Sequence, residues 1–182
     1  QTLFFRSVLR VLCGWLSMML HSALRILILL SLPLPASTQQ SRWTVEDKRG
    51  SIEIYAEFNP GLHELWQNVD DVARELKDLV GVKPTGKPIQ IILFRDRDSY
   101  LRYLASSIPQ SKQRKAIFYR NGEVYQVYAY RNRTLTTDLR HEVTHAILHQ
   151  YLPFLPLWVD EGLADYLEEP ESERSNSSRT KS

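Results

Sequence analysis

Residues 136–168 read TTDLRHEVTHAILHQYLPFLPLWVDEGLADYLE, and the spacing of a few side chains within them organises the rest of the chain. Residues 136–152 are predicted as one helix, stopped by Pro153, and residues 157–168 as a second, stopped near Pro170, because proline cannot continue a helix. The connection Pro153-Phe154-Leu155-Pro156 is short enough to fold the second helix back against the first. On the first helix His141 and His145 stand four residues apart. They therefore share a face, and both imidazoles can reach one ion at about 2.0–2.1 Å. Glu142 lies on the flank of that face, where it reaches a water beside the ion without ligating the ion itself.

A His-Glu-x-x-His helix of this kind points to zinc, and catalytic zinc commonly takes three protein ligands and one water. His149 continues the series, but it sits two turns beyond His141, about 12 Å along a continuous helix. The pattern that uses a glycine turn and a later histidine is also broken, since Leu148 and Tyr151 occupy those places. His149 is read as a helix-surface or core-edge residue. Glu161, on the second helix, is the expected third ligand. Asp165 lies one turn on and on the same face, placed to accept the free N–H of a ligand histidine and fix its orientation.

HEVTHAILH followed by LPLWVDEGLADY resembles the peptidase MA-like gluzincins, compact relatives of thermolysin-type zinc peptidases. The resemblance is sharp over residues 136–168 and looser back to Trp43. It implies a zincin-like domain in which His141, His145 and Glu161 match the zinc ligands and Glu142 the general base. Asp165 matches the acid behind the ligands, and the strand near 123–130 is implied to border the cleft. Larger gluzincins draw an oxyanion-stabilising Tyr or His from a following domain. Within this chain Tyr128, Tyr130, Tyr151 and Tyr166 are the candidates for that role.

Upstream, residues 43–47 and 52–56 read as a hairpin around a glycine-containing turn. The spacing Leu62, Leu65, Trp66, Val69, Val72, Ala73, Leu76, Leu79 predicts an amphipathic helix ended by Gly81 and Pro84. The apolar run 88–94 reads as a buried central strand, and Asp96 or Asp98 as the cap of a short helix through Leu104. Residues 115–119 and 123–130, joined at Asn121-Gly122, carry the strongest hairpin signal. The fold class that follows is α+β, with a small mixed sheet, a hairpin and an active-site helix pair.

The first 36 residues read differently. Residues 24–36 combine a basic residue, a short apolar run, prolines and Ala36 as the residue before a cut, the parts of a secretory signal peptide. A start at Met18 or Met19 gives a signal of ordinary length, and a retained membrane anchor over 11–32 is the alternative. Residues 1–36 are thus expected to be a signal peptide or anchor, 37–170 the peptidase domain, and 171–182 a disordered polar tail. Either N-terminal reading places the domain outside the cytoplasm. Arg6, Arg10 and Arg25 are the only charges in 1–36, so the remainder carries about one net negative charge and nothing in it calls for nucleic acid. The one cysteine, Cys13, lies in the apolar segment, so residues 37–182 hold no disulfide and any staple is a metal or the core itself. The expected substrate is a peptide or protein, which in extended form adds its backbone to an exposed strand edge at 123–130. The competing expectation is a zinc-stabilised binding module without turnover.

Overall fold

The computed structural model describes residues 42–108 and 114–174. The expected signal or anchor segment and residues 175–182 lie outside them.

Alternation of apolar and polar residues builds the sheet. Strand β1 (Val45–Arg49) turns at Gly50 into β2 (Ile52–Ala56), which buries Ile52, Ile54 and Ala56 and leaves Glu53 and Tyr55 half-buried on the other face. Gly50 has φ 58°, the left-handed conformation such a tight turn demands. Helix α1 (Leu62–Val80) follows and ends at Gly81, whose N–H bonds the Lys77 carbonyl. It returns the chain to β3 (Ile89–Phe94), buried along nearly its whole length. Asp96 caps α2 (Arg97–Ser107) by accepting the Ser99 N–H at 2.8 Å. Strands β4 (Ala116–Asn121) and β5 (Val124–Tyr130) form the Asn-Gly hairpin. Helices α3 (Leu135–Tyr151) and α4 (Leu157–Leu167) complete the domain.

The strands lie in the order β1-β2-β3-β5-β4. The outer pairs are antiparallel and the two inner pairings, β2 with β3 and β3 with β5, are parallel. The chain is therefore an α+β domain on a mixed five-stranded open sheet. One consequence differs from expectation. The strand at 123–130 is not an exposed edge, because β4 covers it; the free edge on the site side is β4 itself.

The two faces of the sheet carry separate clusters. Ile54, Ile91, Leu93, Val127 and Ala129 pack against Trp66, Val72 and Leu76 of α1 and Val143, Ile147 and Leu148 of α3. On the opposite face Ile92, Phe94 and Tyr128 pack with Tyr100 and Leu104 of α2. Two buried polar joints fix α3 against this framework. Gln150 accepts the Thr85 N–H at 2.9 Å and donates to the Lys87 carbonyl at 3.0 Å. Arg140 donates to the Leu167 carbonyl at 2.9 Å and to Glu75 at 3.0 Å, which links α3 to both α4 and α1. The tail expected from residue 171 begins as an ordered turn of helix over 171–174, where Arg174 reaches the Tyr166 carbonyl and Glu75.

Candidate metal centre

Helix α3 starts on a local network. The Asn132 side-chain oxygen accepts the Thr134 N–H at 2.6 Å, and the Thr134 hydroxyl donates to Asp138 at 2.9 Å. The helix stops at Leu152 before Pro153, and α4 starts when the Pro156 carbonyl accepts the Val159 and Asp160 N–H groups. This connection lays α4 against α3 with Glu161 opposite the two histidines.

His141 Nε2 and His145 Nε2 stand 3.2 Å apart, and Glu161 Oε2 is 3.6 Å from the first and 3.9 Å from the second. A point about 2.1 Å from all three atoms lies inside that triangle, the distance zinc keeps from imidazole nitrogen and carboxylate oxygen. The chemistry of the set agrees. His141 Nδ1 faces acids, Asp165 at 3.5 Å and Glu168 at 3.4 Å, and His145 Nδ1 contacts Asp160 at 2.8 Å. With the Nδ1 hydrogens directed at carboxylates, both Nε2 atoms turn lone pairs inward beside a third acceptor. Three acceptors converging this closely repel one another unless a cation stands between them. The residues present fit a divalent ion with a preference for nitrogen and oxygen ligands.

Glu142 sits beside this triangle and not in it. Its Oε2 accepts the Phe118 N–H of β4 at 2.7 Å, which leaves Oε1 for other work. The side chain is buried, and burial pushes its carboxyl up; His145, His141, the Phe118 N–H and Arg114 oppose the rise without cancelling it. A cavity of about 400 Å³ opens beside His141 and Glu142, between the start of β4 at Arg114–Ala116 and the helix residues Asp138 and Glu168.

The structure thus brings together His141, Glu142, His145 and Glu161 as the spacing predicts. Asp165 reaches His141 but shares that nitrogen with Glu168, and its side chain is 69% exposed. The carboxylate in closest contact with a histidine of the triangle is Asp160, which sequence reasoning missed. Its Oδ1 and Oδ2 stand 2.8 Å from His145 Nδ1 and His149 Nε2. Burial alone raises the Asp160 carboxyl, but the two histidines outweigh it and hold the group below the ordinary carboxylate range. An acid at the start of the second helix, directly before Glu161, with histidines four apart at 145 and 149 on the first, was the available signal. None of the four tyrosines named above meets the triangle. Tyr128 and Tyr130 belong to the cluster on the opposite face of the sheet, Tyr166 lies under the Arg174 guanidinium, and Tyr151 is exposed at the end of α3. No protein-family model matches the chain, and no curated protein is similar to it.

Proposed function

We propose that this domain is a zinc-dependent peptidase of the gluzincin type, with a zincin-like arrangement of sheet and helix pair. The observation that carries the reading is the division of labour in one cluster: three converging acceptors, and a further side chain, the Glu142 carboxylate, held beside them by a strand N–H. A structural zinc site usually has four protein ligands and needs no such neighbour. His141, His145 and Glu161 would hold the ion, whose Lewis acidity acidifies water and polarises a carbonyl.

The chain's own groups account for the remaining chemistry. Glu142 takes a proton from the attacking water at Oε1, because Oε2 is tied to Phe118. It then returns that proton to the nitrogen of the leaving amine. Burial raises its carboxyl, the direction that favours a group able both to take up and to give back a proton. Substrate is positioned by the free edge of β4. Phe118 directs its N–H away from β5 and toward Glu142, so the alternate residues Ala116 and Arg120 share that outward direction. An extended peptide can add to this edge as a further strand, which brings its backbone to the cluster. The apolar run before Ala36 supports an extracytoplasmic site of action.

The decisive variant is Glu142→Gln, which keeps size and hydrogen-bonding reach but cannot accept the proton. Zinc content and unfolding midpoint should match wild type, while hydrolysis of a mixed peptide library falls by about 10²–10⁴-fold. Wild type that binds zinc and cleaves no peptide would instead make the domain a binding module.

A further inference from the structure

We propose that His149 is a positioning residue for the candidate metal centre, acting through Asp160 on the tautomer of His145. The inference rests on the metal-centre reading for its purpose, but its geometry stands on the apo side chains alone.

Asp160 offers two oxygens, and a different histidine takes each one at 2.8 Å. An ionised carboxylate only accepts, so both ring nitrogens facing it donate. A neutral imidazole has a single N–H. When Asp160 claims the proton of His145 on Nδ1, Nε2 is left bare, and Nε2 is the atom that faces His141 and Glu161. The tautomer of His145 is therefore set by where the Asp160 carboxylate points. A carboxylate with one partner can rotate about its last torsion and offer either oxygen, or swing toward solvent. His149 removes that freedom by occupying Oδ2.

Placement explains how His149 can do this from outside the His141–His145–Glu161 triangle. His145 and His149 stand four residues apart on α3, so their side chains rise on the same face. Asp160 enters from the first turn of α4 and bridges them. The Phe118 ring backs the pair, 6.3 Å from the His145 ring and 5.2 Å from that of His149. The Asp160 side chain is only 13% exposed and that of His149 23%, so the chain of bonds is largely shielded from competing water. One ring nitrogen each of His145 and His149 and one Asp160 oxygen also lie within 4.8 Å of one another. A second ion there would have to take His145 Nδ1 away from its proton, so we assign these groups to hydrogen bonding.

The test uses the full chain, metal-free and labelled with ¹⁵N-histidine, at a pH where the rings are neutral. Long-range proton–nitrogen correlation should show His145 as a single Nδ1–H tautomer. In His149→Ala it should become a mixture of tautomers, and zinc alone should bind about tenfold more weakly, within the range known for residues behind metal ligands. His149→Gln, whose amide can still donate at the place of Nε2, should restore both the single tautomer and the affinity to within about twofold. An unchanged tautomer and unchanged affinity in His149→Ala would overturn the proposal. So would a stoichiometry of two zinc ions per chain that falls to one in that variant. If the tautomers behave as stated and no zinc binds, the chain of bonds stands and the peptidase reading fails.

Discussion

His141 presents its Nδ1 to two acids at once, and neither Asp165 at 3.5 Å nor Glu168 at 3.4 Å holds it alone. Asp165→Asn is therefore expected to weaken zinc binding only a few-fold. The double variant Asp165→Asn with Glu168→Gln should reach the 10–100-fold loss typical of removing such support; competition with a chromophoric chelator measures both. His145 Nδ1 contacts one acid among the described residues, Asp160, so no such redundancy protects it. A second residue-scale feature lies under the sheet's other face. The Tyr100 hydroxyl is fully buried and has no hydrogen-bond partner among the described residues. Burial drives its phenol well above the ordinary tyrosine range, so it stays neutral. An unmade hydrogen bond on a buried group costs about 1–3 kcal/mol. Tyr100→Phe should leave stability unchanged or raise it by up to that amount in a denaturant titration. A clear loss would mean that the hydroxyl is bonded after all.

At the scale of elements, the sequence is most legible where local chemistry decides and least where strand order does. The Asn121-Gly122 turn, the Gly81 stop and the Pro153 stop all act within a few residues, and the helices and hairpins end where these residues place them. The approach of His141, His145 and Glu161 was legible because helix period alone aligns 141 with 145, and the five-residue connection 152–156 leaves few ways to set Glu161. Sheet order is different. The residues of β5, Val-Tyr-Gln-Val-Tyr-Ala-Tyr, suit a strand either inside the sheet or at its rim. Only the partner strands decide, and they put β4 outside it. The exposed Tyr119, Arg120 and Asn121 of β4 were the local hint, since polar and charged side chains mark protected edges. The helix packing also yields a prediction. The Arg140 side chain is fully buried among α1, α3 and α4, and Glu75 pairs with it. Breaking one partner of a buried pair destabilises by about 3–5 kcal/mol. Arg140→Met should lie near the lower figure, because Glu75 keeps Arg174. Adding Glu75→Leu should recover part of the loss, as judged by urea midpoints.

Across the whole molecule, acid stability depends on a joint at the end of β2. Glu57, after β2, accepts the Arg95 N–H at 3.1 Å, the Ser99 hydroxyl at 2.7 Å and Arg42 Nε at 2.6 Å. Burial by itself raises this carboxyl, but these donors prevail and hold it below the usual carboxylate range. A depressed folded value contributes stability above the unfolded pKa of about 4.3, and that contribution is lost as pH falls through the folded value. Between about pH 5 and pH 3 wild type should therefore lose more stability than Glu57→Gln, read from unfolding midpoints on a pH series. The other global feature is the split of the metal triangle between two helices. Two of its corners ride on one rigid helix, and the third, Glu161, is 40% exposed and arrives across the proline-bounded connection 153–156. On the proposed zinc reading the domain would be a bidentate chelator by helix geometry, and tridentate only while α4 stays docked. Metal affinity becomes a gauge of that docking, and by reciprocity the ion becomes a clasp on it. At a free concentration a hundredfold above its dissociation constant, zinc should add about 2.7 kcal/mol to the stability of the domain. In Glu161→Ala the clasp is cut, and the same zinc concentration should leave the unfolding midpoint where it was.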